Sequence, residues 1–159
     1  MLNNDVLRRL RFMLKLTEAR VCEMLKTVDC DVSPQALEAF LAKEEDEHFK
    51  PLDDATMAAF LDALVIAKRG PNPDAPKREL ELPVTNNQIL KKLRIAFELK
   101  EQDLLDLMAS VDFNISKSEL SALFRREGQS NYRACGDQFL RQFLKALTLK
   151  MRPDVAAEI

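Results

Sequence analysis

The sequence has few of the residues from which catalytic or base-stacking sites are built. Among its 159 residues there is no tryptophan, one tyrosine and one histidine, His48. A platform of aromatic rings for stacking single-stranded nucleic acid is therefore not expected. The sequence also lacks a phosphate-cradling glycine loop, a helix with paired histidines and a nucleophile elbow. We predict that the protein is not an enzyme and that it uses no cofactor.

Glycine and cysteine are also scarce, with three residues of each. Because glycine disfavours helices, whereas the abundant Leu, Ala, Glu, Lys and Arg favour them, the composition indicates an all-α fold. An odd number of cysteines argues against a disulfide framework. The N-terminal residues show no signal-peptide pattern, and the most apolar stretch, 57–67, is too short to span a bilayer. We therefore expect a cytoplasmic protein that does not enter the membrane.

A strong basic excess is absent too, since the formal net charge is −2. Chains built to wrap DNA usually carry a clear positive excess. The total hides an asymmetry, however. Residues 1–70 contain 10 Lys and Arg against 13 Asp and Glu, whereas residues 86–153 contain 12 against 8. The first part of the chain is therefore acidic, and the later part is mildly basic.

An internal repeat organises the chain. Residues 3–66 align with residues 86–149 without a gap, at a constant offset of 83, and 18 of these 64 pairs are identical. A match of this length predicts two copies of one structural unit. Between the copies lies a segment with four prolines, which cannot continue a helix and is expected to be an extended linker. A position whose chemistry differs between the copies is not expected to serve a function that both share.

Each copy is predicted to form four helices, because apolar residues recur at helical spacing. We interpret the Asn-Asn pair, at 3–4 and 86–87, as the N-cap of the first helix. Ser33 and Ser116 are predicted to cap the third helix, and the fourth begins at Asp53 and ends at Gly70. The fold is therefore predicted as all-α, with two homologous four-helix modules in tandem joined by a Pro-rich linker. The predicted boundaries are residues 1–70 and 86–153 for the modules, 71–85 for the linker and 154–159 for a C-terminal tail.

The cysteines and the histidine provide the ligand types of a zinc site, in Cys22, Cys30 and His48. The repeat argues against that interpretation, because each cysteine aligns with an apolar residue of the other copy. Buried free cysteine behaves as a small hydrophobic residue. We predict that the cysteines belong to the core and that the protein holds no metal ion. The aligned pairs are Cys22 with Leu105, Cys30 with Phe113 and Cys135 with Leu52.

The first helix of each copy carries a row of cations. One interpretation is a surface that meets phosphates or an acidic partner. The other gives the arginine retained in both copies an acidic partner inside its own module, at Asp29 and Asp112 or at Glu18 and Glu101. We favour the second interpretation for Arg11 and Arg94, and both remain open for Arg8 and Lys91. The binding candidates on this helix are Arg8, Arg11, Lys91, Lys92 and Arg94.

The segment before the fourth helix provides further candidates. An aromatic residue followed by a cation occurs there in both copies, as Phe49-Lys50 and Tyr132-Arg133. This pair is either a partner contact or a ring that closes the bundle, with the cation incidental. At the end of its predicted third helix the second copy adds Arg125-Arg126, which makes this the most basic part of the chain. Lys50, Arg125, Arg126, Tyr132 and Arg133 are therefore also binding candidates.

The motifs shared by both copies resemble those of the YehS-like family of bacterial proteins. They are the Asn-Asn pair, a Leu-(Arg/Lys)-(Arg/Lys)-Leu-Arg segment, the Ser-capped third helix and an Asp-x5-Phe-Leu segment. The resemblance covers nearly the whole chain and implies a duplicated helical domain without a known activity. The modules are also similar to repressor-type helix-turn-helix units, although Thr17 and Ser33 are farther apart than that motif's tight turn allows.

Two functional hypotheses follow from these observations. The first is a cytoplasmic nucleic-acid-associated regulator with helix-turn-helix-like modules, whose basic second module contacts phosphates. The alternative is a protein-interaction adaptor or homo-oligomeric scaffold that binds no nucleic acid. In this alternative, the acidic stretch 44–47 steers association, and in an oligomer it meets the basic patch of another protomer. Overall acidity favours the adaptor, and the repeated cationic first helix favours the regulator.

Overall fold

The computed structural model describes residues 1–74 and 79–158, and all regular structure within them is helical. The predicted all-α fold of two homologous modules in tandem is confirmed for these residues. Residues 75–78 of the predicted linker lie outside the described part of the chain. The helices of the first module are α1 (Asn3–Leu14), α2 (Glu18–Lys26), α3 (Pro34–Leu41) and α4 (Asp54–Arg69), and those of the second are α5 (Asn86–Ala96), α6 (Glu101–Ser110), α7 (Lys117–Leu123) and α8 (Asp137–Met151).

Most helix starts follow from capping chemistry in the sequence. The Ser33 hydroxyl accepts a hydrogen bond from the N–H of Ala36, with Pro34 in the first turn, and Asp53 accepts from Thr56. Ser116 and Glu119 form a reciprocal capping box at the start of α7. The predicted caps at Ser33 and Ser116 are confirmed. Gly70 ends α4 with a φ of 86°, a value that residues with a side chain rarely adopt.

Two features differ from the prediction, one at the starts of α1 and α5 and the other at the end of α7. The Asn-Asn pair does not cap the first helix: the N-cap residue is Leu2 in α1 and Thr85 in α5, and both asparagines lie within the first helical turn. The third helix of the second module also ends earlier than predicted. Because α7 stops at Leu123, Arg125 and Arg126 lie in the following loop.

The chain divides into two units, Met1–Val84 and Thr85–Ile159, each with its own core. In the first unit α2 packs against α3 and α4, and α1 packs against the same two helices. In the second unit α6 packs against α7 and α8, and α5 packs against α8. The aligned Phe60 and Phe143 are both 2% exposed or less, and burying such a side chain stabilises a fold by roughly 1.5–3 kcal/mol.

Two segments outside the eight helices contact the unit to which they belong. The end of the predicted linker contacts α4, because the N–H of Val84 donates to Asp54 at 3.2 Å. A short 3-10 helix, Pro153–Glu158, begins at the last residue of the predicted second module and runs through most of the predicted tail. It packs against α8, and Val155 is buried. No helix in residues 1–74 or 79–158 has both the length and the apolar character needed to cross a bilayer.

Candidate functional site

The segment between the third and fourth helices of the first module is held by a buried asparagine. Asn4 is 1% exposed. Its side-chain amide donates to the carbonyl oxygens of Phe40 at 3.0 Å and Lys50 at 2.8 Å. Its carbonyl accepts from the N–H of Leu52 at 2.9 Å. One side chain on α1 therefore binds three backbone groups around the loop before α4.

The second module repeats this arrangement at the aligned positions. The Asn87 amide donates to the carbonyl oxygens of Leu123 and Arg133, both at 2.9 Å. Its carbonyl accepts from the N–H of Cys135 at 2.8 Å. We call Asn4 and Asn87 the loop asparagines. The repeat alignment identified them as retained residues, but only the tertiary structure shows that they bind a distant loop instead of capping a helix.

The preceding asparagines add a second link in each module. Asn3 donates to Asp54 Oδ1 at 2.8 Å and to the carbonyl oxygen of Leu52 at 3.1 Å. Asn86 donates to Asp137 Oδ1 at 2.8 Å and to the carbonyl oxygen of Cys135 at 3.0 Å. The first helix is thus joined to the start of the fourth, which explains why both copies retain this aspartate.

The two loops held in this way differ in charge. We define the acidic loop as residues 42–50 and the basic loop as the aligned residues 125–133. The acidic loop has four carboxylates and two lysines, whereas the basic loop has three arginines and one carboxylate. All of these charged residues are exposed. Two aligned loops, each held by the same set of asparagine hydrogen bonds, therefore carry opposite net charge in the two modules.

The basic loop brings together several of the predicted binding residues. Arg125, Arg126 and Arg133 are exposed, and Tyr132 is half-buried. The N–H of Arg133 donates to the carbonyl oxygen of Ala122 at 3.1 Å, so the far end of the loop returns to α7. In the first module Lys50 makes the same backbone contact with Ala39 at 3.2 Å, and its side chain is exposed.

One carboxylate partly offsets the charge of the basic loop. Glu119 of α7 lies 3.3 Å from the guanidinium of Arg133. Hydrogen bonds from the side chain and backbone of Ser116, and then the charge of Arg133, hold the pKa of Glu119 below its usual value. Glu119 therefore stays ionised at neutral pH. Because the pair is exposed, water screens it, and the cation remains accessible to other anions.

The cations of the first helices have different environments in the two copies. Arg8 donates to the carbonyl oxygen of Ala42 at 2.7 Å and forms an ion pair with Asp5. Its guanidinium is therefore paired within its own module. Lys91 aligns with Arg8 and is exposed, and the position that aligns with Ala42 is Arg125. In the second module, two cations, Lys91 and Arg125, therefore stand at the two positions that form this helix–loop contact in the first module. Lys92 is half-buried.

Arg94 has its partners inside the second module, but they are not acids. Its Nε donates to the carbonyl oxygen of Leu99 at 3.1 Å, and its guanidinium lies 4.5 Å from the centre of the Phe124 ring. The aligned Arg11 is half-buried, and its Nε is buried without a hydrogen-bond partner among the described residues. Both arginines lie partly inside their modules, which makes them less accessible to a ligand than the arginines of the basic loop.

The retained Asp29 and Asp112 have a backbone role at the ends of α2 and α6. Both adopt a φ of 57°, in the left-handed region that aspartate tolerates better than most residues. The N–H of Asp29 donates to Lys26, and that of Asp112 donates to Ala109. For Arg94 the predicted pairing with a retained acid is wrong, because its partners are the carbonyl oxygen of Leu99 and the ring of Phe124.

The cysteines and the histidine are distributed over several environments. Cys22 and Cys30 are half-buried, and Cys135 is buried. Burial, reinforced by the charge of Asp137, raises the pKa of the Cys135 thiol to about 12. His48 is exposed and lies 3.3 Å from Glu47. Within residues 1–74 and 79–158, no three His, Cys, Asp or Glu side chains are grouped so that they could hold a metal ion.

Comparisons with known proteins give the same two-module division. A family model described as "Protein of unknown function (DUF1456)" matches residues 3–70 and 86–152. The chain is 38% identical over 150 residues to the uncharacterized protein YehS of Escherichia coli strain K12. The match covers 94% of this chain and 96% of that protein. No solved structure matches the chain.

Proposed function

The chain belongs to the DUF1456 family of proteins of unknown function and is similar to YehS, as predicted, and we propose that it is a non-enzymatic, nucleic-acid-associated regulator. Its second module contacts phosphates through the basic loop and Lys91. The observation that carries this proposal is the group of three exposed arginines in the basic loop, which has one carboxylate, whereas the aligned acidic loop has four carboxylates against two lysines.

Arginine suits this role because its planar guanidinium donates two parallel hydrogen bonds to a phosphate. A duplex carries one negative charge per roughly 1.7 Å of its axis, so several neighbouring cations are needed to follow it. Arg125, Arg126 and Arg133 provide them within nine residues. Asn87 donates hydrogen bonds to Leu123, two residues before this segment, and to Arg133 at its end. These bonds restrain the backbone of the segment, which reduces the entropy lost on binding.

The proposal concerns the phosphate backbone and does not depend on insertion of a recognition helix. Residues 27–33 separate α2 from α3, and residues 111–116 separate α6 from α7. These connections are longer than the turn of three or four residues that defines a helix-turn-helix unit. Contacts to the backbone alone give binding that depends weakly on sequence and strongly on salt.

The test is binding of a fluorescent duplex of about 20 base pairs, measured by anisotropy at roughly 50 and 200 mM salt. Variant R125Q/R126Q/R133Q is compared with K43Q/K50Q, which removes the aligned cations of the first module. We expect the first variant to weaken binding by about tenfold or more and to lower the salt slope by about 0.9 per lost contact. The control should bind like the wild type. Absence of wild-type binding at the lower salt concentration would refute the proposal.

The alternative is a protein-interaction adaptor, which the exposed carboxylates of the acidic loop favour. A pull-down from a bacterial lysate, with and without nuclease, separates the two functions. A regulator that binds nucleic acid should lose its co-purifying proteins after nuclease treatment, because the nucleic acid bridges them. Partners that survive nuclease treatment and depend on residues 44–47 would favour the adaptor.

A further inference from the structure

A groove borders the acidic loop of the first module. It has a volume of about 420 Å³ and lies between α3 and the loop. Ala39 and Ala42 contribute its small side chains. Its polar lining residues are Gln35, Glu38, Asp46, His48 and Lys50. The absence of large side chains at these two positions leaves space for a long side chain from outside. Its two carboxylates outnumber Lys50, the cation among the lining residues, which makes that space favourable for a further cation.

The aligned surface of the second module has complementary chemistry. Arg125 occupies the position of Ala42, so a long cationic side chain stands where the first module has a methyl group. Ser121 and Gln129 replace the two carboxylates Glu38 and Asp46. The second module therefore has a surface that lacks the two carboxylates of the groove and carries a long cation where the groove has a small side chain.

We propose that two copies of this chain associate through these surfaces, with the basic loop of one copy docked at the acidic groove of the other. Arg125 enters the groove beside Glu38 and Asp46, and Arg126 and Arg133 face the carboxylates at 44–47. We infer a second copy as the occupant because one sequence contains both the acidic groove and a basic loop of matching charge and side-chain size. The loop asparagines hold the two segments by equivalent hydrogen bonds. Such charge pairs contribute mainly to orientation and to the rate of association.

This contact joins unlike surfaces, so it does not close on itself. Each copy in a pair still has one free groove or one free basic loop, and association continues into a chain or a ring. The inference goes beyond the proposed function but shares its arginines. Nucleic acid and a second copy therefore compete for the basic loop, and the acidic groove acts as a regulator of nucleic-acid binding.

The test uses two full-length variants, each with one neutralised surface, after nuclease treatment. The groove variant is E38Q/D46N, and the loop variant is R125Q/R126Q/R133Q. Asparagine at position 46 keeps an oxygen for the hydrogen bond that Asp46 accepts from the N–H of His48 at 2.8 Å. Sedimentation velocity measures the mass of each variant and of their equimolar mixture, at roughly 50 and 500 mM salt.

The wild type is expected to associate at low salt and to dissociate at high salt. Each variant alone should stay at the 18.2 kDa of the monomer. Their mixture retains one intact groove and one intact loop, so it should form a 1:1 complex that does not grow with concentration. A wild type that is monomeric at low salt, a variant that still associates, or a mixture that stays monomeric would each overturn the inference.

Nucleic-acid binding by the groove variant separates this inference from the proposed function. That variant keeps every arginine of the basic loop, so it should bind the duplex at least as tightly as the wild type. Duplex binding without self-association overturns the inference alone. Self-association without duplex binding overturns the proposed function, and with it the competition for the basic loop, but leaves the proposed association of two copies standing.

Discussion

Asn4 and Asn87 are polar residues whose side chains join the first helix of each module to the backbone around the loop before the fourth helix. A polar side chain is costly to bury unless its hydrogen bonds are satisfied. Asn4 uses both amide hydrogens and its carbonyl oxygen on backbone groups, at distances between 2.8 and 3.0 Å. The same three bonds recur at Asn87. These residues therefore position the acidic and basic loops.

Removing either side chain should destabilise its module. Asn4→Ala leaves the carbonyl groups of Phe40 and Lys50 and the N–H of Leu52 without their partner. Each unsatisfied buried group costs about 1–3 kcal/mol. Because Phe40 is half-buried and Lys50 is exposed, water can satisfy part of their lost bonding, so we expect a total loss of about 2–4 kcal/mol in the free energy of unfolding. Asn87→Ala should cost less, because Asn87 is more exposed and water can replace part of its bonding.

Hydrogen exchange measures this effect at a defined atom. The amide of Leu52 should lose protection in Asn4→Ala, and the amide of Cys135 should lose it in Asn87→Ala. Urea unfolding gives the overall free energy, and Asn114→Ala, at an exposed position, is the control. Unchanged protection at Leu52 would mean that Asn4 does not hold the loop.

At the scale of the helix, the start of the fourth helix differs between the modules. Asp53 caps α4 by accepting from the N–H and the hydroxyl of Thr56 at 3.0 and 2.7 Å. Gly136 stands at the same position before α8 and provides no side-chain cap. A Cβ added at Gly136 would meet nothing within 4 Å, and no unusual backbone angle requires glycine there. One module therefore uses a capping bond that the other lacks.

Two substitutions test the value of this cap. Asp53→Ala should lower the free energy of unfolding by about 1 kcal/mol at neutral pH, and Gly136→Asp should raise it by a few tenths to about 1 kcal/mol. Thermal or urea unfolding checks both, with Ala55→Ser, in an exposed part of α4, as a control for added polarity. A destabilising Gly136→Asp would mean that α8 needs glycine for a reason other than capping.

The contribution of Asp53 should also depend on pH. Burial raises the pKa of Asp53, but the hydrogen bonds with Thr56 outweigh it and hold the pKa below its usual value. The carboxylate is therefore more acidic in the folded than in the unfolded chain. Its stabilisation is present above the usual pKa of about 4 and is lost as the pH falls through the folded value. The difference between wild type and Asp53→Ala should shrink accordingly at acid pH.

At the scale of the whole molecule, the chain consists of two units with separate cores. We expect fragments 1–84 and 85–159 each to fold, since every packing contact described above lies within one of them. The first fragment must include Val84, whose N–H donates to Asp54. Circular dichroism should show helical spectra whose sum matches that of the intact chain. A fragment without helical structure would show that its own core is insufficient for folding.

The sequence by itself determined the helical class, the duplication and the main helix ends. These features depend on apolar spacing and on caps such as Ser33, Ser116 and Asp53, which involve residues only a few positions apart. The charge difference between the aligned loops is visible in the sequence for the same reason, because a constant offset places Arg125 beside Ala42 in the alignment.

Only the tertiary structure decided what the polar residues of the first helices do. Asn4 bonds to residues 36 to 48 positions away, and Arg94 reaches the ring of Phe124. Capping and long-range bonding use the same side-chain atoms, so composition and spacing cannot distinguish them. The choice depends on which backbone groups the folded chain brings within about 3 Å of the side chain, and that distance exists only after the helices have packed.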